Sequence, residues 1–268
     1  MTETDVTQEA LHKEGRYIYC IVNGHEKFAV LNAGLDNADV YIVSYKDIGA
    51  ILHACPGKPY ESKEDNKVKE WLFNHNNIID KASDTFGTVL PFSFDSIIKG
   101  DDDAVVDWLN KGYEELKKEL DRLKDKAEYS VQIFCEPEKL ADRIMAQDNT
   151  IADLKEKIEK MPKRTAYLLH RTFELKMKDA SHAIMVKLAE EYASLLMKHV
   201  EEIKTVKVHH VPEQFKDKKL IVSFSCLVLK DNVKILGGTL GTINDLQGYA
   251  IRFTGPWAPF SFTKIGEI

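Results

Sequence analysis

The 268-residue sequence has little of what marks a metal centre or a redox site. Only four cysteines occur, Cys20, Cys55, Cys135 and Cys226, and no two form a Cys-x-x-Cys pair. Zinc ribbons and thioredoxin-type chemistry are therefore unsupported, and reduced thiols packed as small hydrophobes are expected. There is no excess of positive charge: 37 Lys+Arg stand against 43 Asp+Glu, a formal charge of −6. A sequence-blind nucleic-acid binder needs concentrated cations, so no nucleic acid is expected as a partner. No run approaches the roughly 18 apolar residues of a membrane span. Met1 to Arg16 is polar and mixed in charge, without the basic start and apolar stretch of a signal peptide. A cytoplasmic protein with no membrane partner is expected.

What is present is an ordinary globular composition, 44% hydrophobic and 30% charged, long enough for two domains and a core without staples. Residues 1–15 read as a flexible arm, 16–125 as an N-terminal α+β domain and 126–268 as a C-terminal one. Arg16–Val22 is apolar on both faces and predicts a central strand. Short strands are expected near Phe28–Leu31, Val40–Tyr45 and Ile48–His53. A helix over Lys63–Asp84 turns Val68, Trp71/Leu72, His75, Ile79 and Ala82 to a core. Thr88–Leu90 predicts a strand stopped by Pro91, and Asp101–Asp103 opens the next helix.

In the second half, Glu128–Phe134 alternates as a half-buried strand does. Helices follow over Pro137–Gln147 and Thr150–Lys160, then a long one from Thr165 to about Ile203. Val206–Val208 and Lys219–Leu229 predict strands, Asn232–Gln247 a helix and Tyr249–Phe253 the last strand. This β-α-β-β-α-β order is the ferredoxin-like, split βαβ arrangement.

The search for chemistry returns few candidates. Gly237-Gly238-Thr239-Leu240-Gly241 lacks the lysine of a phosphate loop, so close packing of a helix on its sheet is the plainer reading. His209 and His210 are adjacent on a predicted strand and point to opposite faces, which disfavours a shared ion. His75 lies on an apolar helical face; His182 and His199 lie on the long helix without a ligand motif. Asp101–Asp103 lacks the glycine and closing glutamate of a calcium loop and reads as a helix cap. No Gly-x-Ser-x-Gly elbow occurs. No catalytic residue, metal or cofactor is assigned.

The segment that stands apart is Gly255-Pro256-Trp257-Ala258-Pro259-Phe260-Ser261-Phe262. Two prolines stiffen the backbone, and three aromatic rings carry large area at low entropic cost. It is either a tail clamped onto its own domain or an aromatic surface that faces a partner. The segment resembles the C-terminal Gly-Pro-Trp-Pro-Pro-Tyr-Ser-Phe signature of the gas vesicle GvpL/GvpF family, with Ala258 and Phe260 as departures. Arg16–Val22 is similar to that family's opening strand. His75 with Thr88-Val89-Leu90-Pro91-Phe92-Ser93-Phe94 resembles its helix histidine and its Leu-Pro-x-x-Phe-Gly segment. Here Ser93 stands where arginine is common and Asp95 where glycine is common. Lys126–Tyr129 is similar to the link into the family's second domain, while Ser223–Val228 departs from its Asn-Ala-Ala-Tyr-Leu-Val run.

The resemblance, over residues 16–265, implies two α+β domains and a non-enzymatic accessory protein of gas vesicle formation. It further implies contact with the hydrophobic shell protein and other accessory proteins, as chaperone-like adaptor, nucleator or minor vesicle component, located at the gas vesicle or in the cytoplasm. The motif residues expected to matter for structure or interface are Gly255, Pro256, Trp257, Pro259, Phe260, Phe262, His75, Leu90, Pro91 and Phe94. The competing class is a small-ligand or enzymatic domain in the ferredoxin-like half, with a polar pocket at His209 or His210.

Overall fold

The computed structural model describes residues 14–162, 166–208 and 210–265. The chain forms two compact units. The first runs to Glu128 and resumes at Pro256; the second is Tyr129–Gly255. The aromatic tail thus belongs to the first unit, not to the C-terminal domain that contiguity along the chain suggests. Most of the expected arm lies outside the described residues, and its last two, Glu14 and Gly15, already belong to the first strand.

In the first unit, β1 (Glu14–Asn23) is the centre of a six-stranded sheet. The others are β2 (Ala29–Val30), β3 (Val40–Tyr45), β4 (Ile48–Pro56), β5 (Val89–Pro91) and β6 (Ile97–Lys99). They run in the order β2-β3-β4-β1-β5, and β6 pairs with β1 as well. One edge of β1 pairs antiparallel with β4 from Glu14↔Pro56 to Asn23↔Ile48. Its other edge is shared: β6 takes Gly15–Tyr17 and β5 takes Cys20–Val22. The short β6 has no signal in the sequence. Pro91, expected to stop β5, pairs with Cys20 inside it; β5 ends the sheet path, and at an edge a missing N–H is tolerated.

A register shift between Ile18 and Cys20 decides what each face of β1 carries. Strict alternation would put Tyr17, Tyr19 and Ile21 together. With Tyr19 as the extra residue of a bulge, Tyr17, Tyr19, Cys20 and Val22 join one core cluster with Trp71, Ile78, Ile79 and Ala82. Those last four lie on α1 (Asp65–Phe86). Leu72, expected in the same stripe, is exposed. Arg16 points the other way. Its Nε donates to Asp102 Oδ1 at 2.5 Å, at the start of α2 (Asp102–Leu123). Asp101 caps that helix by accepting from the Ala104 N–H, the role expected of the acidic triplet.

The second unit holds β7 (Lys126–Cys135, entering it at Tyr129), β8 (Glu202–Thr205), β9 (Lys219–Leu229) and β10 (Tyr249–Trp257, leaving it after Gly255), ordered β10-β7-β9-β8. β7 alternates only over its first half; from Gln132 onward every side chain is buried, because β7 lies inside the sheet. Between β7 and β8 come α3 (Pro137–Gln147), α4 (Asn149–Glu159) and α5 (Tyr167–Leu196). Asp148 breaks α3 from α4, and its carboxylate accepts from the Thr150 N–H at 2.8 Å.

The long helix is shorter than its apolar stripe suggests. It has 30 residues, about 45 Å at 1.5 Å per residue, so His199 lies beyond its end. Strand β8 occupies 202–205 rather than the expected 206–208. Strand β10 runs on through Trp257, so the first three residues of the aromatic motif are strand. Across the sheet, Tyr129 stacks on Phe253 with ring centroids 5.2 Å apart. The ring of Phe134 lies parallel to that of Phe215 at 4.4 Å.

The glycines of α6 (Val233–Asn244) do not serve close packing, contrary to expectation. A β-carbon on Gly237, Gly238 or Gly241 would meet nothing within 4 Å. Each leaves the helix less stable than alanine would, by about 1 kcal/mol. Gly237→Ala, Gly238→Ala and Gly241→Ala should each raise stability by about 0.5–1 kcal/mol in denaturant titrations.

Candidate functional site

The sequence-derived candidates converge in the first unit. His75 projects from α1 into the core, nearly inaccessible to solvent. Its Nε2 lies 3.1 Å from the carbonyl oxygen of Phe92, which only accepts, so Nε2 carries the proton. Nδ1 is then the acceptor, and the Tyr17 hydroxyl donates to it at 2.8 Å. The Tyr17 oxygen in turn accepts from the Asp95 N–H at 3.2 Å. Asp95 Oδ1 accepts from the Tyr60 N–H.

A parallel set adjoins it. The Tyr19 hydroxyl meets His53 Nδ1 at 2.9 Å and accepts from the Leu35 N–H; His53 Nε2 meets the Tyr60 hydroxyl at 2.9 Å. Two tyrosines of β1 and two histidines thus tie α1 to three loops. None of these polar atoms faces the apolar core unpaired. Asp95 has φ +71°. Glycine takes that conformation without strain, and here the aspartate is held by its two hydrogen bonds.

Burial pushes both imidazoles down to a pKa of about 4. It also pushes the Tyr17 and Tyr19 hydroxyls well above their usual range. At neutral pH the two histidines and the two tyrosines are uncharged and serve as a hydrogen-bonded scaffold.

The tail is laid over this scaffold. Pro259 is buried and Phe262 fully so. Ser261 donates from its N–H and its hydroxyl to the two carboxylate oxygens of Glu128, at 2.8 and 2.6 Å. Arg122 donates to the Phe262 carbonyl at 2.6 Å. The Lys264 N–H donates to Glu119, whose carboxylate also takes a bidentate pair from Arg122. Burial alone would raise the Glu119 carboxyl, but Arg122 and the Lys264 N–H outweigh it and hold it below the usual range.

Two rings of the tail face outward. Trp257 is 51% exposed and Phe260 39%. Phe260 rests over His75, with ring centroids 6.3 Å apart. Trp257, Ala258 and Phe260 line a groove of about 320 Å³ with Asn76, Asp80 and Glu128. Phe73, 69% exposed, lies one helical turn from Asn76 on α1. The two readings of the motif are therefore divided among its residues: Pro259 and Phe262 clamp, while Trp257 and Phe260 present a surface.

The remaining candidates fall as follows. Leu90 is buried in β5 with Pro91, and Phe94 packs its ring on His75 and Tyr17. Gly255 and Pro256 are exposed at the end of β10. His210 is exposed, and His209 lies outside the described residues. All four cysteines are free and buried. Among the described residues no group of three or more His, Cys, Asp or Glu is placed to hold a metal ion. No helix among them is long and apolar enough to cross a membrane. Sequence reasoning missed His53, Tyr60, Glu119, Arg122 and Glu128. Each also meets a partner far along the chain, and only the apolar setting of Tyr17 and Tyr19 hinted that buried hydroxyls needed them. A second concavity, about 550 Å³, lies against Tyr60, Trp71 and Asp36 in the first unit, not in the C-terminal half to which the competing reading assigned a pocket.

The chain is thus a two-unit α+β protein with two separate sheets and a stiff aromatic tail folded onto its first unit. The crystal structure of GvpF from Anabaena sp. PCC7120 matches it with a TM-score of 0.71 at 17% identity, covering 95% of this chain and all of that one. GvpF from Microcystis aeruginosa matches with a TM-score of 0.65 at 14% identity, over 94% and 99% of the two chains. In sequence, gas vesicle protein L1 of Halobacterium salinarum is 29% identical, covering 97% of this chain and 94% of that protein. Gas vesicle protein L of Haloferax mediterranei is 25% identical over 95% and 89%. The family model for gas vesicle synthesis protein GvpL/GvpF matches residues 15–264. The chain belongs to the GvpL/GvpF family.

Two outcomes follow from this geometry. Phe262→Ala should cost about 3–5 kcal/mol of stability, whereas Trp257→Ala should stay within about 1 kcal/mol, measured by chemical denaturation. An unfolded histidine takes its proton near pH 6.5, and buried His53 and His75 do so only near 4. The unfolded chain binds more protons between those values. Stability should therefore fall as pH drops through that window, by about 2 kcal/mol per ring at pH 5 relative to neutral pH. A His75→Gln variant should show roughly half that dependence.

Proposed function

We propose that this protein is a non-enzymatic accessory factor of gas vesicle assembly that binds the hydrophobic shell protein, with other accessory proteins as further partners. The observation that carries the reading is the outward pair Trp257 and Phe260 on a rigidly clamped tail. Exposed aromatic rings on a preordered support are what a protein–protein contact uses, because little freedom is lost on docking. A shell subunit exposes apolar surface before it assembles, and a partner that covers that surface suppresses aggregation. The protein then acts at the gas vesicle or in the cytoplasm beside it, as a chaperone-like adaptor, a nucleator or a minor component.

We also read the second unit as ferredoxin-like. The strand order β10-β7-β9-β8, with helices between β7 and β8 and between β9 and β10, supports that reading.

The test is co-expression of the full chain with the principal gas vesicle shell protein, followed by native pull-down. Retention of the shell protein together with a larger soluble fraction of it is the expected result. Retention without the solubility gain favours a nucleating or minor structural role. Failure to retain it would reject shell binding.

A further inference from the structure

The groove is lined by Trp257, Ala258 and Phe260 together with the carboxylates of Asp80 and Glu128, and the acidic part of that lining carries a second piece of information. Asp80 lines the groove from α1, and Asp84 follows one turn later on the same face. Neither forms an ion pair among the described residues. They repel each other at the i, i+4 spacing. They also stand near the C-terminal end of α1, where the helix dipole favours cations, and the last turn of that helix has no basic residue. Lys81 is displaced by about 100° round the helix from Asp80 and makes no ion pair with either carboxylate. Desolvation, and then Asp84, push the Asp80 carboxyl above its usual range. The other carboxylate lining the groove, Glu128, is engaged by Ser261. The site therefore offers aromatic area, from Trp257 and Phe260 with Phe73 nearby, next to the Asp80 carboxylate, with Asp84 one turn further on in the last turn of the helix; the fold itself leaves both without an ion pair.

We infer that this groove takes an amphipathic protein segment whose aliphatic side chains lie on Trp257 and Phe260 and whose lysine or arginine meets Asp80 and Asp84. Burying the partner's apolar side against the two rings supplies affinity. The cation relieves the Asp80–Asp84 repulsion and completes the α1 terminus, which fixes the orientation of the segment. An acidic segment of equal hydrophobicity is rejected, because it would bring a third negative charge to the same helix end. The inference rests on the reading of this face as the binding face, and it specifies the chemistry of what binds.

The probes are two labelled synthetic helical peptides of leucine and alanine. One carries lysines along its polar face; the other carries glutamates at the same positions. Binding to the full chain is followed by fluorescence anisotropy. The lysine peptide should bind, with affinity falling as salt rises, and the glutamate peptide should bind at least tenfold more weakly. Asp80→Lys/Asp84→Lys and Trp257→Ala should each weaken the lysine peptide at least tenfold. All three residues are exposed, and an unchanged melting curve confirms that each variant folds. Asp80→Asn/Asp84→Asn gives a milder second variant with the same expected direction. Asp153→Lys/Glu159→Lys, on α4 in the other unit, should leave binding unchanged and so excludes general attraction to an acidic protein.

Equal binding of the two peptides, equal loss with the α4 variant, or no effect of the groove variants would overturn the inference; so would absence of binding. Retention of the shell protein by a chain that fails these tests would keep the proposed function and move its contact elsewhere. Success here without shell retention would identify a different, basic partner for the same groove.

Discussion

The first unit is organised by the need to satisfy two hydroxyls and two imidazoles buried beside β1. A polar group taken from water into an apolar core destabilises the fold by several kcal/mol unless it is hydrogen-bonded. Tyr17, Tyr19, His53 and His75 meet that requirement through one another and through the backbone at Leu35, Phe92 and Asp95. Each such bond fixes a piece of chain that has no regular structure of its own. The cluster therefore places the loops after β2, β4 and β5 and holds α1 at a set height over the sheet. The bulge at Tyr19 is what lets both tyrosines and the following Cys20 and Val22 share this face.

The outward surface depends on the inward one. Phe260 lies on His75, and His75 is immobilised by Tyr17 and the Phe92 carbonyl. The tail that carries Phe260 is fixed from its other end by Glu119, Arg122 and Glu128. Three charged side chains and one buried ring, Phe262, thus hold Trp257 in place although half of it faces solvent. One eight-residue motif thus combines buried anchors, Pro259 and Phe262, with exposed rings, Trp257 and Phe260. Protonating either histidine would put a charge in the core and disturb the bond to its tyrosine.

Much of this was legible in the sequence. The apolar character of Arg16–Val22 marked a central strand. Periodicity located both helices that carry the site, and Asp101–Asp103 signalled the start of a helix at the right place. The motif Gly255–Phe262 was recognised as the distinctive feature of the chain. What escaped was non-local. A two-residue pairing such as β2 or a three-residue strand such as β6 has too few side chains to show a period. The bulge keeps the hydrophobicity of β1 unchanged while reversing which side chains face which helix. The glycines of α6 looked like a packing device, yet open space surrounds them, because composition does not report the distance to a neighbour.

By itself the sequence determined the α+β class, the order of the main elements and the family. Each rests on local periodicity, capping residues or a contiguous motif, all properties of neighbouring residues. Only the tertiary structure decided that the tail returns to the first unit, that Phe262 anchors while Trp257 faces outward, and that Asp80 lines the aromatic groove. Those outcomes depend on contacts between residues as far apart as His75 and Phe260 or Glu128 and Ser261. A hydrogen bond or a packed ring across such a separation leaves no trace in the local pattern on either side of it.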